Sequence, residues 1–261
     1  PDCHKEWWEM CTQPNKFVAI AAPRGHAKST AITHSYTIAN IVFREASFVL
    51  VVSDTETQAV FFVQDIKKEL TENDDLKKMF GIRGLVKDAD SDFIIEFEDG
   101  KKARVIAKGS GQSLRGVKWE SKRPDLIVCD DLENDEIVMN KERREKFRRW
   151  FQATLVPCLS KDGQIRVVGT ILHTDAMLER LMPKQYDKRT VIEPLKTWTR
   201  KNDTWQAVKY RAHSDDWEHI LWPERWPKEK LMLERQAQIE QGTPENYSQE
   251  YLNIPIDETF A

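Results

Sequence analysis

The segment Ala22–Thr30 (APRGHAKST) carries the residue types that bind phosphate groups. It follows Phe17–Ala21, an apolar run typical of a buried strand, and precedes a helical pattern, in a spacing that matches G-x-x-x-x-G-K-[ST]. Backbone N–H groups at a helix start face an anion, Lys28 can reach the β- and γ-phosphates, and the Ser29 hydroxyl can ligate Mg²⁺. The segment therefore predicts a nucleotide-binding loop formed by Pro23, Arg24, Gly25, His26, Ala27, Lys28, Ser29 and Thr30.

Two positions of this loop depart from the pattern, because Ala22 and Ala27 stand where glycine is usual. Alanine tolerates a positive φ poorly. We expect Gly25 to supply the permissive turn instead. Taken alone, the segment also fits an ordinary strand, polar loop and helix that happen to contain Lys-Ser.

A second motif, Asp125–Asp131 (DLIVCDD), is an apolar run that ends in acidic residues. Such a strand tip is typical of the carboxylate that holds Mg²⁺ in nucleotide hydrolases, so Asp130 is predicted to hold the water shell of the metal. Asp131 is predicted to orient the attacking water, with Glu133 as a rival whose longer side chain reaches further. The alternative is a strand followed by an acidic helix cap. Both motifs together predict binding of ATP or GTP.

Three further segments carry polar residues with more than one interpretation. Gly169 and Thr170 follow the apolar run Ile165–Val168, and the threonine hydroxyl either senses a γ-phosphate or belongs to a plain turn. Arg115, in a glycine-rich loop before the acidic strand, either faces a nucleotide or lies in solvent. Lys141–Arg149 (KERREKFRR), with six basic and two acidic residues, is either a solvated helix face or a contact for nucleic-acid phosphates.

The elements that must position these residues alternate between strand and helix, which predicts an α/β fold with a mainly parallel central sheet flanked by helices. A Glu-Asp-Gly-Lys segment between two strand patterns predicts a hairpin. The predicted strands are Phe17–Ala21, Ser47–Val52, Phe93–Phe97, Ala103–Ala107, Leu126–Cys129, Ile165–Val168 and Val191–Leu195. The predicted helices, with approximate bounds, are Lys28–Arg44, one that Ser53 or Asp54 caps and that runs to Leu70, Glu136–Thr154, a short one from Thr174 or Asp175, Lys228–Gln241 and Pro244–Leu252.

Composition bounds the class of protein. The chain has 261 residues, of which 32% are charged and 40% hydrophobic, and its longest apolar run has six residues, so no membrane-spanning segment is expected. The net charge of −3 argues against a histone-like wrapper of nucleic acid but leaves room for a local basic patch. Four cysteines without a C-x-x-C pair indicate free thiols in a reducing compartment. We predict a sheet domain over 1–195 and a smaller lid subdomain, dense in aromatic residues and proline, over 196–261.

These motifs, with SLRG before the acidic strand, VGTILH after it and the closing segment YSQEYLNIP, resemble the large terminase subunit of tailed bacteriophages. That family forms the motor that packages DNA into procapsids, and the resemblance runs from about Lys16 to Pro255. It implies an additional-strand P-loop ATPase fold with a small lid, ATP as substrate and Mg²⁺ as cofactor. It also implies action in the host cytoplasm during virion assembly. The implied partners are double-stranded DNA, other copies of the chain in a ring, the portal protein and the small terminase subunit.

The resemblance also implies roles for single residues. Arg115 matches an arginine finger, Gly169 and Thr170 match the coupling motif, and Gln13 is the candidate for the family's adenine-contacting glutamine. Family members continue into a nuclease domain with clustered aspartates. We interpret this chain as the ATPase domain without the nuclease, and we expect no nuclease activity from it; the sequence does not indicate the DNA-contacting surface.

Two other functions compete with a DNA-translocating ATPase. A relic that binds or scaffolds without hydrolysis is favoured by Ala22 and Ala27, but such a relic has no reason to keep Lys28, Asp130 and Arg115. Another P-loop enzyme, such as a helicase or a small-molecule kinase, would use the same sheet. A kinase usually needs a substrate-binding insert and a helicase a second motor domain, and neither is visible in the sequence.

Overall fold

The computed structural model describes residues 1–182, 195–201 and 204–255. The chain divides into two units. We call Pro1–Lys28, Glu133–Arg144 and Val168–Ala261 the terminal unit, and Ser29–Leu132 with Glu145–Val167 the central unit.

Strands and helices alternate along most of the chain. The strands are β1 (Phe17–Ala21), β2 (Phe48–Ser53), β3 (Ile82–Asp88), β4 (Asp92–Phe97), β5 (Lys102–Gly109), β6 (Leu126–Asp130), β7 (Gln164–Gly169), β8 (Lys196–Lys201) and β9 (Trp205–Tyr210). The α-helices are α1 (Asp2–Thr12), α2 (Thr37–Val42), α3 (Glu56–Glu72), α4 (Asp74–Phe80), α5 (Asp135–Val138), α6 (Lys141–Trp150), α7 (Met177–Leu181), α8 (Lys228–Glu240) and α9 (Pro244–Leu252). Ser29–Tyr36 and Phe151–Leu155 are π-helical, and Val156–Cys158 is a 3₁₀ turn.

The central unit is built on a sheet in which β2 is paired on both sides. Its neighbours β5 and β6 both run parallel to it, with Val49 opposite Val105 and Val51 opposite Val128. Every residue of β2 and β6 is buried, as expected for strands covered on both faces. Strands β3, β4 and β5 form an antiparallel meander, and α3 packs against β2 and β5.

The terminal unit pairs strands from the two ends of the chain. β1 runs parallel to β9, with Phe17 opposite Trp205, and β8 is antiparallel to β9. Helices α8 and α9 pack together over an aromatic cluster that includes Trp226, Tyr247 and Tyr251. The sheet pairing therefore continues to Tyr210, past position 195, and the division into domains at 195 stays a prediction.

The predicted α/β class, the parallel buried strands and the hairpin of β4 and β5 are confirmed. Four predicted helices differ from the structure in their bounds. The helix from Lys28 is π-helical to Tyr36 and its α-helical part ends at Val42. Helix α3 begins at Glu56, because the hydroxyl of Thr55 accepts the N–H of Gln58 (3.2 Å) and caps it.

The predicted helix Glu136–Thr154 is two helices, α5 and α6. Asn140 ends the gap between them, since its side-chain oxygen accepts the N–H of Arg143 (3.0 Å) and starts α6. The short helix predicted from Thr174 or Asp175 begins at Met177. The sequence patterns did not reveal α1, α4 or β3, and the predicted strand Val191–Leu195 falls mostly outside the described residues.

Within the described residues, no helix combines the length and apolar character needed to cross a membrane. The four cysteines are buried and form no disulfide bond in this part of the chain.

Candidate nucleotide-binding site

The loop that follows β1, from Ala22 to Lys28, contains two left-handed turns; it is the predicted phosphate-binding loop, and we call it the phosphate loop. Gly25 has a φ of +71° and Ala27 a φ of +59°. Glycine adopts this conformation freely, whereas another residue there costs about 1–2 kcal/mol. The prediction that Gly25 supplies a permissive turn is confirmed, and Ala27 makes a second such turn in spite of its side chain.

Side chains and backbone from distant parts of the terminal unit hold the peptide groups of this loop. The N–H of Arg24 donates to a carbonyl oxygen in α9 (2.7 Å), and Trp226 Nε1 donates to the carbonyl oxygen of Gly25 (2.9 Å). His4 Nε2, in α1, donates to the carbonyl oxygen of His26 (2.7 Å). The loop is therefore fixed in shape by its own surroundings, which is the pre-organisation that a binding site needs.

His26 lies fully buried at the centre of this arrangement. Its Nδ1 donates to the carbonyl oxygen of Arg24 (2.9 Å), and its ring stacks on Trp226 with 6.0 Å between centroids. Burial lowers the pKa of His26 from 6.5 to about 4, against the opposing effect of the hydrogen bond to Arg24. At neutral pH the ring is uncharged, so it supports the loop and adds no positive charge to it.

Lys28 meets the predicted coupling residues at the end of β7. Its Nζ donates to Thr170 Oγ1 (3.3 Å), and the same hydroxyl donates to the carbonyl oxygen of Ala22 (3.3 Å). The N–H of Ala22 donates to the carbonyl oxygen of Gly169 (3.0 Å). Since the Lys28 side chain is only 8% exposed, the ammonium is held beside the loop in a partly desolvated position. Lys28, Gly169 and Thr170 thus come together, which their separation in the sequence does not show.

Glu133 is occupied as a helix cap. Its carboxylate accepts the backbone N–H of Met177 (2.8 Å) and that of Leu178 (3.1 Å), the first two residues of α7. A carboxylate at a helix start satisfies N–H groups that have no partner inside the helix and interacts favourably with the helix dipole. In this arrangement both carboxylate oxygens of Glu133 serve the helix.

In the central unit, Asp130 is the last residue of β6 and is fully buried. Its Oδ2 accepts a hydrogen bond from the hydroxyl of Thr33, and its carbonyl oxygen accepts one from the Ser53 hydroxyl (2.8 Å). Thr33 was not predicted from the sequence, although its position four residues after Ser29 on the helical segment is a signal that could have found it. These contacts orient a carboxylate at the strand tip where the sequence predicts the metal-holding residue.

Asp131 follows directly and differs from Asp130 in its exposure and in its backbone conformation. It is exposed, and its φ of +43° is a left-handed conformation that only a few residues other than glycine adopt. Its carbonyl oxygen accepts the N–H of Asp54 (3.2 Å), which ties this turn to the end of β2. Backbone strain of this kind is found mostly at functional sites.

Ser29 and Thr30 begin the π-helix of the central unit and line an open cavity of about 570 Å³ beside α3. Arg115 lies on a separate exposed loop between Gly111 and Gly116, both with positive φ. Within the described residues its guanidinium makes no hydrogen bond or ion pair. The side chain is therefore available to a group that comes from outside the chain.

Gln13 is exposed at the C-terminal end of α1. An α-helix rises about 1.5 Å per residue, so Gln13 lies about 13 Å along the helix from His4, the residue of α1 that contacts the phosphate loop. A role of Gln13 with adenine stays a prediction.

The donor groups fit Mg²⁺ that is bound jointly with phosphates. Such Mg²⁺ keeps several water ligands and takes only one or two protein carboxylates. Ser29 offers a hydroxyl and Asp130 an oriented carboxylate, both in the central unit. A site that binds a cation by protein ligands alone would bring together three or more His, Cys, Asp or Glu side chains. Among the described residues there is no such group.

No family model and no curated protein matches the sequence. Solved structures do. The ATPase domain of the Thermus phage P74-26 large terminase is similar with a TM-score of 0.65 and 14% identity, covering 94% of this chain and 91% of that one. The large terminase of the thermophilic bacteriophage D6E is similar with a TM-score of 0.53 and 12% identity, covering 96% of this chain and 51% of that one. A further structure of the D6E protein, in complex with ADP, has a TM-score of 0.52.

At these identities the likeness concerns the backbone and not the site residues. It extends over 94% of this chain for the P74-26 domain and 96% for the D6E protein. The chain therefore has the fold of a large terminase ATPase domain.

Proposed function

We propose that this chain is the Mg²⁺-dependent ATPase domain of a motor that moves double-stranded DNA into a viral procapsid. The observation that carries the proposal is the phosphate loop, a pre-organised turn that places the Lys28 ammonium beside Thr170 in a terminase ATPase fold. The likeness to a terminase structure in complex with ADP supports an adenine nucleotide as the ligand.

In this proposal Lys28 stabilises the charge that develops on the transferred γ-phosphoryl group, because a point charge held in a partly desolvated position interacts strongly with it. Ser29 and Asp130 hold Mg²⁺, which neutralises phosphate charge when bound. Thr170, already hydrogen-bonded to Lys28, registers the presence of the γ-phosphate and passes it to β7. These roles use the residues as the loop and strand ends present them.

Asp131 is the carboxylate that orients the attacking water. The exposed position and the strained turn of Asp131 support this choice, and so does the use of both Glu133 oxygens to cap α7. Arg115 acts as an arginine finger toward the nucleotide of a neighbouring copy, since it stands exposed on a glycine-flanked loop and has no hydrogen-bond or ion-pair partner among the described residues. Such fingers accelerate hydrolysis by about 10³–10⁵.

The experiment that tests the proposal measures phosphate release from ATP and binding of a fluorescent ADP analogue, with and without Mg²⁺. Lys28→Ala should abolish hydrolysis, while the matched variant Lys78→Ala, which removes an exposed lysine of α4, should leave it unchanged. Equal turnover by the wild-type and Lys28→Ala proteins, or nucleotide binding by neither, would refute the ATPase.

A further inference from the structure

The positive charge of the central unit is concentrated in one stretch of sequence. Residues 101–125 contain eight basic and two acidic residues, a net charge of +6, whereas the whole chain has a net charge of −3. Local charge of this size attracts polyanions even when the protein as a whole is acidic. The basic residues are Lys101, Lys102, Arg104, Lys108, Arg115, Lys118, Lys122 and Arg123.

Strand geometry arranges several of these residues on one surface. Alternate residues of a strand point to the same face, so Lys102, Arg104 and Lys108 lie on one face of β5 and span about 20 Å. The loop after β5 lies along the same face, because Arg104 donates to the carbonyl oxygen of Lys118 (3.4 Å). Lys122 continues the surface through its backbone pairing with Trp119. We call these five basic residues the basic face.

Most of the charge on this face is not used inside the protein. Arg104 is paired with Asp92 (2.7 Å), whose pKa is lowered by its bonds to Arg104 and Lys87 in spite of the opposing effect of burial. Lys102, Lys118 and Lys122 are exposed, and within the described part of the chain they make no ion pair. Three acidic side chains border this face: Glu96, directly opposite Lys102, and Asp92 on β4, and Glu120, beside Lys122 in an open groove. Glu96 is paired with Arg83, and Asp92 with Lys87 as well as Arg104. An exposed surface with three or more unneutralised cations fits a polyanion.

We propose that the basic face binds the phosphate backbone of double-stranded DNA. This rests on the proposed packaging function and adds the surface that contacts DNA. A 20 Å row of cations matches a duplex, which carries one phosphate charge per about 1.7 Å of axis. Single-strand binders present free aromatic rings for base stacking, whereas Trp119 at this face packs edge-on against Phe48, with 6.0 Å between centroids.

Helix α6, the other basic segment of the sequence, is less suited to this role. Arg144 is buried and paired with Asp175 (3.2 Å), and Arg143 is paired with Glu136. Part of its charge therefore serves contacts within the protein. It provides the rival in the test.

The test measures binding of a 30-base-pair duplex by fluorescence anisotropy between 50 and 200 mM salt, with basal ATP hydrolysis and thermal unfolding as separate measurements. Three triple Lys/Arg→Gln variants remove the same charge from different surfaces. They change Lys102, Lys118 and Lys122 on the basic face; Lys141, Lys146 and Arg149 on α6; and Lys5, Lys78 and Lys228 as exposed controls.

The basic-face variant should lose about 2.7 in the slope of log K against log salt, since each lost phosphate contact removes about 0.9, and it should bind on the order of 10²–10³-fold more weakly at 0.1 M salt. Its basal hydrolysis and melting temperature should equal those of the control variant. The inference is overturned if the wild type does not bind the duplex, if it prefers the single strand, or if the α6 variant loses as much. If the protein hydrolyses ATP but does not bind the duplex, this inference is wrong and the proposed ATPase stands. If the protein binds the duplex but does not hydrolyse ATP, the proposed ATPase is wrong.

Discussion

Gly25→Ala should destabilise the protein by about 3 kcal/mol, because two independent features of this position exclude a side chain. A Cβ added to Gly25 would lie 2.5 Å from Trp226 Cζ2, far inside van der Waals contact. The φ of +71° adds strain of about 1–2 kcal/mol for any residue with a Cβ. Overpacking costs about 1–3 kcal/mol, and moving Trp226 loses the hydrogen bond from its Nε1, worth about 0.5–1.5 kcal/mol. The lower entropy of alanine in the unfolded chain offsets about 0.4–1 kcal/mol.

The assay is equilibrium unfolding in urea, and Gly100→Ala is the matched control. Gly100 has a φ of +79° with nothing within 4 Å of an added Cβ, so its substitution should cost only about 1 kcal/mol. In a Trp226→Phe background the cost of Gly25→Ala should fall toward that of Gly100→Ala. Ala27→Gly should have the opposite sign and stabilise by about 0.5 kcal/mol, because it relieves the left-handed alanine. If Gly25→Ala and Gly100→Ala cost the same, the contact between Trp226 and the loop does not constrain it as described.

Asp131→Asn should keep nucleotide binding and lose hydrolysis, while Glu133→Gln should keep most of its rate and lower the melting temperature; the reverse pattern in single-turnover kinetics would transfer the water-orienting role. The pKa of His26 is about 4 in the folded protein and about 6.5 in the unfolded chain, so the unfolded chain binds the proton more readily between these values. The free energy of unfolding should therefore fall by about 3 kcal/mol as the pH falls from 6.5 to 4. His26→Gln should flatten that dependence in urea unfolding, and an equal loss would exclude His26 as its cause. Mixing the Lys28→Ala and Arg115→Ala proteins should restore ATP turnover if Arg115 acts on the nucleotide of a neighbouring copy. If the mixture is as inactive as each variant alone, Arg115 acts within its own chain or has no role in hydrolysis.

The parts of the fold that the sequence predicts are those whose signal is local. Continuous apolar runs identify β1, β2 and β6 because strands buried on both faces have no polar side to interrupt them. Asp130, the last residue of β6, could be proposed for the same reason, since an acidic residue at the end of an apolar run is an abrupt change of residue type. Lys28, seven residues after the end of β1, could be proposed from the spacing of the loop that follows that strand. The break between α5 and α6 was missed because Asn140 is a helix cap only when the preceding helix has already ended.

The parts that the sequence does not predict depend on contacts between distant residues. In the sequence Thr33 is an ordinary residue of a helical segment, and only the structure shows its hydrogen bond to Asp130, 97 positions away. Trp226 is separated from Gly25 by 201 positions and had no signal beyond its membership of an aromatic-rich segment. The proposed choice of Asp131 over Glu133 also rests on a distant contact, because Glu133 caps α7, a helix that begins more than 40 residues later.

These distant contacts explain how the loop keeps its shape without the usual glycines. In a standard loop, glycine lowers the cost of the left-handed turns locally. Here Ala27 keeps a strained φ, and a strained residue persists only where its surroundings over-determine the conformation. Hydrogen bonds to the peptide groups of Arg24, Gly25 and His26 supply that constraint from α9, from Trp226 and from α1. The conformation of the turn is therefore stabilised by other residues of the terminal unit and not by glycines of the loop itself. A substitution at Trp226 should disturb the phosphate loop as much as one within it.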